Sequence, residues 1–136
     1  MQTITVEVTI DATIETVWTS WTKPEHITKW NYASNVWHCP YAENYLREGG
    51  KMLATMAAKD GSFSFDFCGI HTKVLEQQEI ATTLGDDRKM SVTFIPTDNG
   101  VKVVETFEPE NQNSIELQQQ GWQAILNNFK KYTETI

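Results

Sequence analysis

Basic residues are scarce in this chain and never clustered. Its 136 residues include 11 Lys or Arg against 18 Asp or Glu, a formal net charge of −7. Nucleic acids and anionic membrane surfaces are bound through a positive footprint, so neither partner is expected. Long apolar runs are lacking too. None approaches the roughly 20 residues of a membrane helix, and membrane insertion is not expected. The opening MQTITVEVTI has no basic start and no continuous apolar segment. No signal peptide is therefore expected, and the expected location is cytoplasmic. Cysteine is limited to Cys39 and Cys68, read as reduced thiols in that compartment. The histidines His26, His38 and His71 stand at no ligand spacing with each other or with the cysteines. Neither a metal nor a cofactor is expected.

What the chain does have is aromatics, with five Trp, six Phe and four Tyr, in an order that changes period along the sequence. Ile4, Val6, Val8 and Ile10 alternate with polar residues, the pattern of a half-buried strand over 2–10. Ile14, Val17, Trp18 and Trp21 then take helical spacing. Thr22-Lys23-Pro24-Glu25 reads as the capping box of a second short helix, with Ile27 and Trp30 inward and an end near Asn31. Strands are predicted over 41–47, 51–58, 62–75, 79–84, 89–95 and 101–108, with Gly69 as a bulge. A long helix follows, capped by Asn113 and Glu116, with Ile115, Gln118, Trp122, Ile125 or Leu126, Phe129 and Tyr132 on one side. The length suits a single domain over 1–136. Strands in a run, followed by a helix, argue for an α+β fold with the helix on one face of a curved antiparallel sheet.

The segments ATIETVW (12–18), KPEHITKW (23–30), LREGGKM (46–52), DGSFSFDFCG (60–69) and GWQAILNNFKKY (121–132) resemble, in order, the START-like, helix-grip superfamily. More narrowly, they resemble the family of the C-terminal domain of activator of Hsp90 ATPase, close to polyketide cyclases. Tyr45 and Lys23 stand where relatives commonly carry aspartate. The resemblance implies about seven strands gripping the terminal helix, with a cavity between them. It implies apolar small molecules as ligands, or a chaperone as partner, for a monomer or homodimer. Fold alone does not decide among these.

Three functions remain open: a non-catalytic binder of a small, mostly apolar molecule, a chaperone-linked interaction module, and a cyclase- or hydratase-type enzyme. Met52 and Met56, then Phe63, Phe65 and Phe67, then Met90 and Phe94, form apolar rows on successive strands. Thioethers and flat rings suit an adaptable wall as well as a filled core. Trp122 and Leu126 face them from the helix, where Gly121 calls for a compensating reason such as close approach to the sheet or to something held there. Trp30, Trp37 and His38 fall where the short helices meet the sheet, at the expected rim. Glu105 shares a face with Val101, Val103 and Phe107 if the strand is unbroken, and a one-residue slip would put it in solvent. An inward Glu105, or His71, would be the acid or base of the enzyme reading. Cys39 lacks a base in reach, because adjacent His38 points the other way on an extended segment.

Overall fold

The computed structural model describes residues 2–136. Strand β1 (Ile4–Ile10) buries Ile4, Val6 and Ile10 on the expected face. Helix α1 (Ile14–Thr22) starts at Thr13, whose hydroxyl accepts from the Thr16 amide at 3.2 Å. Helix α2 (Pro24–Trp30) follows with proline in its first turn. The expected cap at Thr22 does not form. Thr22 closes α1 and donates to the Trp18 carbonyl at 2.7 Å, while Lys23 precedes α2 without a side-chain cap. One residue separates the two helices, so that hydroxyl is taken by the preceding turn.

Strands β2 (Trp37–Asn44), β3 (Lys51–Ala58), β4 (Ser64–Leu75), β5 (Glu79–Leu84), β6 (Lys89–Thr97) and β7 (Gly100–Phe107) complete a seven-stranded antiparallel sheet in the order β1-β7-β6-β5-β4-β3-β2. The sheet curls around α3 (Ile115–Thr133), the helix-grip arrangement of an α+β protein. β2 begins at Trp37 rather than Tyr41, because the β2–β3 register shifts between His38 and Tyr41. That shift, together with Pro40, hides the strand period. No bulge lies at Gly69, which pairs regularly with Met52 and Leu84. Its glycine is a close-approach position: a Cβ there would lie 2.7 Å from the Thr83 carbonyl oxygen and 2.8 Å from Thr82 Cγ2. The irregularity in β4 falls later, between His71 and Lys73. Ser114, not Asn113, caps α3, accepting from the Leu117 amide at 3.1 Å.

One end of the sheet–helix sandwich is packed solid. Ile10, Val17, Val103, Leu126 and Phe129 are fully buried there. Trp21 stacks on Trp30 at 4.9 Å and meets Phe129 edge-on at 4.9 Å, and Trp18 meets Phe94 at 5.3 Å. The Trp30 indole donates to the Ser20 carbonyl at 2.9 Å, so its polar atom is satisfied inside the core.

Candidate functional site

At the other end the sheet and helix part. α3 packs chiefly along β1 and leans on α1 and α2, and a cavity of about 450 Å³ opens between it and the middle strands. Strand pleating sends Met52, Ala54 and Met56 of β3 inward, with Phe65, Phe67 and His71 of β4. Thr82 of β5, Met90 and Val92 of β6, and Glu105 of β7 continue the wall. From α3, Gln118, Gly121, Trp122 and Ile125 complete it. The Trp122 ring stacks on Phe107 at 3.7 Å and 11° and meets Phe67 edge-on at 5.8 Å. Close approach to protein does not explain Gly121, since a Cβ built there meets nothing within 4 Å. The glycine borders open space.

Polar groups on this wall fall into two kinds. His71 is tied into a chain of hydrogen bonds. Its Nε2 donates to Asn44 Oδ1 at 2.7 Å and its Nδ1 accepts from the Thr82 hydroxyl at 3.0 Å. Asn44 donates onward to the Thr22 carbonyl at 2.8 Å, which fixes its amide orientation and the histidine tautomer. Burial holds the His71 pKa below the usual histidine value, so the ring stays neutral. Glu105 is the opposite case. β7 is unbroken, with Val101, Val103, Glu105 and Phe107 all buried, so no slip carries the carboxyl to solvent. It is 5% exposed, and no described residue hydrogen-bonds or ion-pairs with it. Burial pushes its pKa from 4.5 up to about 8. His71 and Glu105 lie on β4 and β7 with β5 and β6 between them, and both His71 nitrogens are bonded elsewhere, so the two form no hydrogen-bonded acid–base pair.

A family model for Activator of Hsp90 ATPase homolog 1-like protein matches residues 11–134. This chain belongs to that family. Among solved structures, the AHSA1-like protein from Aeromonas hydrophila is 40% identical, with a TM-score of 0.93 over 98% of this chain and 93% of the other. Chr148 from Cytophaga hutchinsonii is 54% identical, with a TM-score of 0.83 over 97% and 92%. Protein CV1439 from Chromobacterium violaceum, at 21% identity and a TM-score of 0.87 over 98% and 99%, shares the fold alone. No curated protein matches this chain.

Within this member of the activator of Hsp90 ATPase homolog 1-like family, most residues singled out from the sequence meet at the cavity. Trp30, Trp37, Met52, Met56, Phe65 and Phe67 line it, as do His71, Met90, Glu105 and Trp122. Four do not. Phe94 and Leu126 face inward at the packed end, where the tryptophans of α1 and α2 fill the space. Phe63 precedes β4 and is 58% exposed, touching Trp37 edge-on at 6.1 Å. His38 pairs with Ala57 in β3, off the wall. Cys39 is buried, its thiol donates to the Tyr41 carbonyl at 3.5 Å, and burial raises its pKa. That is the environment of an inert thiol.

Asn44, Thr82 and the rim residues Asn31, Tyr32 and Ala33 went unread in the sequence. For Thr82 a signal existed, because Ile80, Thr82 and Leu84 alternate and a polar residue inside an inward row needs a partner. Asn44 was concealed by the register shift that precedes it. No helix among the described residues is long and apolar enough to cross a membrane, and no described His, Cys, Asp and Glu residues cluster as a metal site.

Proposed function

We propose that this chain binds a small, mostly apolar molecule in the cavity between the sheet and α3, without catalysing its conversion. The carrying observation is a cavity of about 450 Å³ walled by aromatic and thioether side chains. Volume and lining suit a ligand of modest size. Met52, Met56 and Met90, three of the four methionines in the chain, lie on that wall. Flexible thioethers accommodate ligands of varied outline. The absence of catalysis is supported by His71, whose ring nitrogens are both engaged, and by its separation from Glu105. The cavity-lining residues named above are the proposed ligand contacts, and the cytoplasm is the proposed location.

Methionine methyl NMR tests this reading. An uncharged probe such as N-phenyl-1-naphthylamine should bind saturably at one molecule per chain and shift the methyl signals of Met52, Met56 and Met90. Non-saturable binding, or shifts that spare all three methyls, would exclude it.

A second reading, docking to an Hsp90-type chaperone, is favoured by the family description and by one surface feature. Val36, Phe63 and Phe65 are 66%, 58% and 44% exposed, and Trp37 packs edge-on against both phenylalanines. Titration of purified Hsp90 should then broaden the signals of these residues, and Phe63→Ser should abolish the broadening. An unchanged spectrum rules the docking surface out.

A further inference from the structure

Glu105 has no role in holding the fold together that its contacts reveal. Its cross-strand neighbours are Val6 on β1 and Val92 on β6, and the inward residues flanking it along β7 are Val103 and Phe107. None of the four offers a hydrogen bond. The residue is thus 95% withdrawn from solvent, while its carboxyl sits on the cavity wall with no protein partner among the described residues. Leaving such a group unpaired is costly, and the cost disappears if the occupant of the cavity supplies the partner.

We infer that Glu105 anchors the ligand, and that the ligand is an uncharged, mostly apolar molecule whose oxygen acceptor, such as a carbonyl, receives a hydrogen bond from the protonated carboxyl. This rests on the reading of the cavity as a binding site and adds the class of molecule bound. Donor count and charge on the cavity wall select that class. An ammonium group carries three donors, and the apolar row around Glu105 offers no side-chain acceptor for those that Glu105 itself does not take. An anionic head group would meet, among the described residues of the wall, one permanent cation, Arg88, whose charge is already paired with Asp86 at 2.7 Å and which donates to the Glu108 carbonyl at 3.2 Å. A neutral carboxyl, in contrast, has one O–H to place, and a single oxygen on the ligand satisfies it.

Protonation at neutral pH follows from burial, which raises the Glu105 pKa to about 8. The other titratable groups on the wall are Tyr32, Glu43, His71, Arg88 and Glu110. The Tyr41 hydroxyl donates to Glu43, and the Asn113 amide donates to Glu110 at 2.7 Å. His71 and Arg88 are engaged as described, and none of the five is bonded to Glu105.

Chain-matched probes test the inference: 2-nonanone, nonylammonium and nonanoate, followed by calorimetry and by the methyl signals of Met52, Met56 and Met90. At pH 6.5, 2-nonanone should bind about tenfold or more tightly than either charged probe. Glu105→Leu should remove most of that margin. Above pH 8 the wild-type affinity for 2-nonanone should fall as the donor is lost, whereas Glu105→Gln, a donor at every pH, should show a flat profile. Should Glu105→Leu fail to fold, the Glu105→Gln profile decides alone. If the probes shift the methyls but bind equally, or nonylammonium binds best, the anchor is overturned while the cavity reading stands. If no probe moves a methyl, both fall.

Discussion

The two ends of the sheet–helix sandwich share the same strands and the same helix yet differ in what fills them. At the packed end, β1 finishes with Ile10, β6 carries Phe94 and β7 carries Val101 next to its start, and α3 delivers Leu126 and Phe129. Trp18, Trp21 and Trp30 from α1 and α2 close the space above them. At the open end the same strands carry Met90 and Glu105, and α3 contributes Gly121 and Trp122. Here α1 and α2 reach the space only through Trp21, Ile27 and Trp30, and do not fill it. Apolar alternation is equally good in both halves, so patterning does not distinguish a core from a cavity wall. The number of elements meeting over the sheet does.

Substitutions sharpen the contrast, and the largest effect belongs to the packed end. Phe129→Ala removes a ring with no solvent exposure that touches both Trp21 and Trp30. It should destabilise the protein by about 3–5 kcal/mol in urea titrations. Met56→Ala, on a wall already facing empty space, should cost less than about 1.5 kcal/mol by the same measurement, because little new cavity is created. Equal costs at the two positions would mean that the open end collapses around its contents.

Next in size is the effect of Glu105 on stability. Its pKa is about 8 in the folded chain against 4.5 ordinarily. Between those values the folded protein keeps a proton that the unfolded chain has released, so stability declines as pH rises through this window. Below about pH 4.5 both states are protonated and the penalty is gone. Glu105→Gln should therefore be more stable than wild type by about 2–3 kcal/mol at pH 7, with the difference shrinking toward zero near pH 4. Urea midpoints at several pH values check this, and a pH-independent difference would place the carboxyl in contact with water.

Gly121→Ala should act in opposite directions on the two properties. Alanine is a better helix former by about 0.8–1 kcal/mol, and its methyl meets no protein atom within 4 Å, so thermal stability should rise slightly. Probe affinity should fall, because that methyl takes room from the ligand. A gain in both would show that the ligand does not reach α3. The smallest expected effect is at Cys39, whose buried thiol should resist a thiol reagent in the native state and react once denaturant is added. Cys39→Ser should leave probe affinity within a few-fold of wild type.

Much of this was legible before any coordinates. The period change at Asp11, the successive apolar rows and the terminal amphipathic helix followed from residue spacing, because side-chain direction repeats every 2 residues in a strand and every 3.6 in a helix. Boundaries were less legible where a tertiary contact competes with a local rule. Thr22 reads as a cap but bonds backward into α1, Asn113 yields its place to Ser114, and the shift after His38 conceals the start of β2. The stretch from Trp30 to Tyr41 shows the limit best. Trp30 ends buried between core and cavity, Trp37 on an edge strand beside the cavity, His38 off its wall and Cys39 buried, although all lie within ten residues.

By itself, then, the sequence determined the order of elements, the face that each presents and the family resemblance, since these depend on spacing along one chain. Only the tertiary structure decided which apolar residues border empty space, that Gly121 faces it, and that Glu105 stands there without a partner among the described residues. A void and an unpaired group are properties of what other segments fail to supply, and that is set by how the helices cross the sheet.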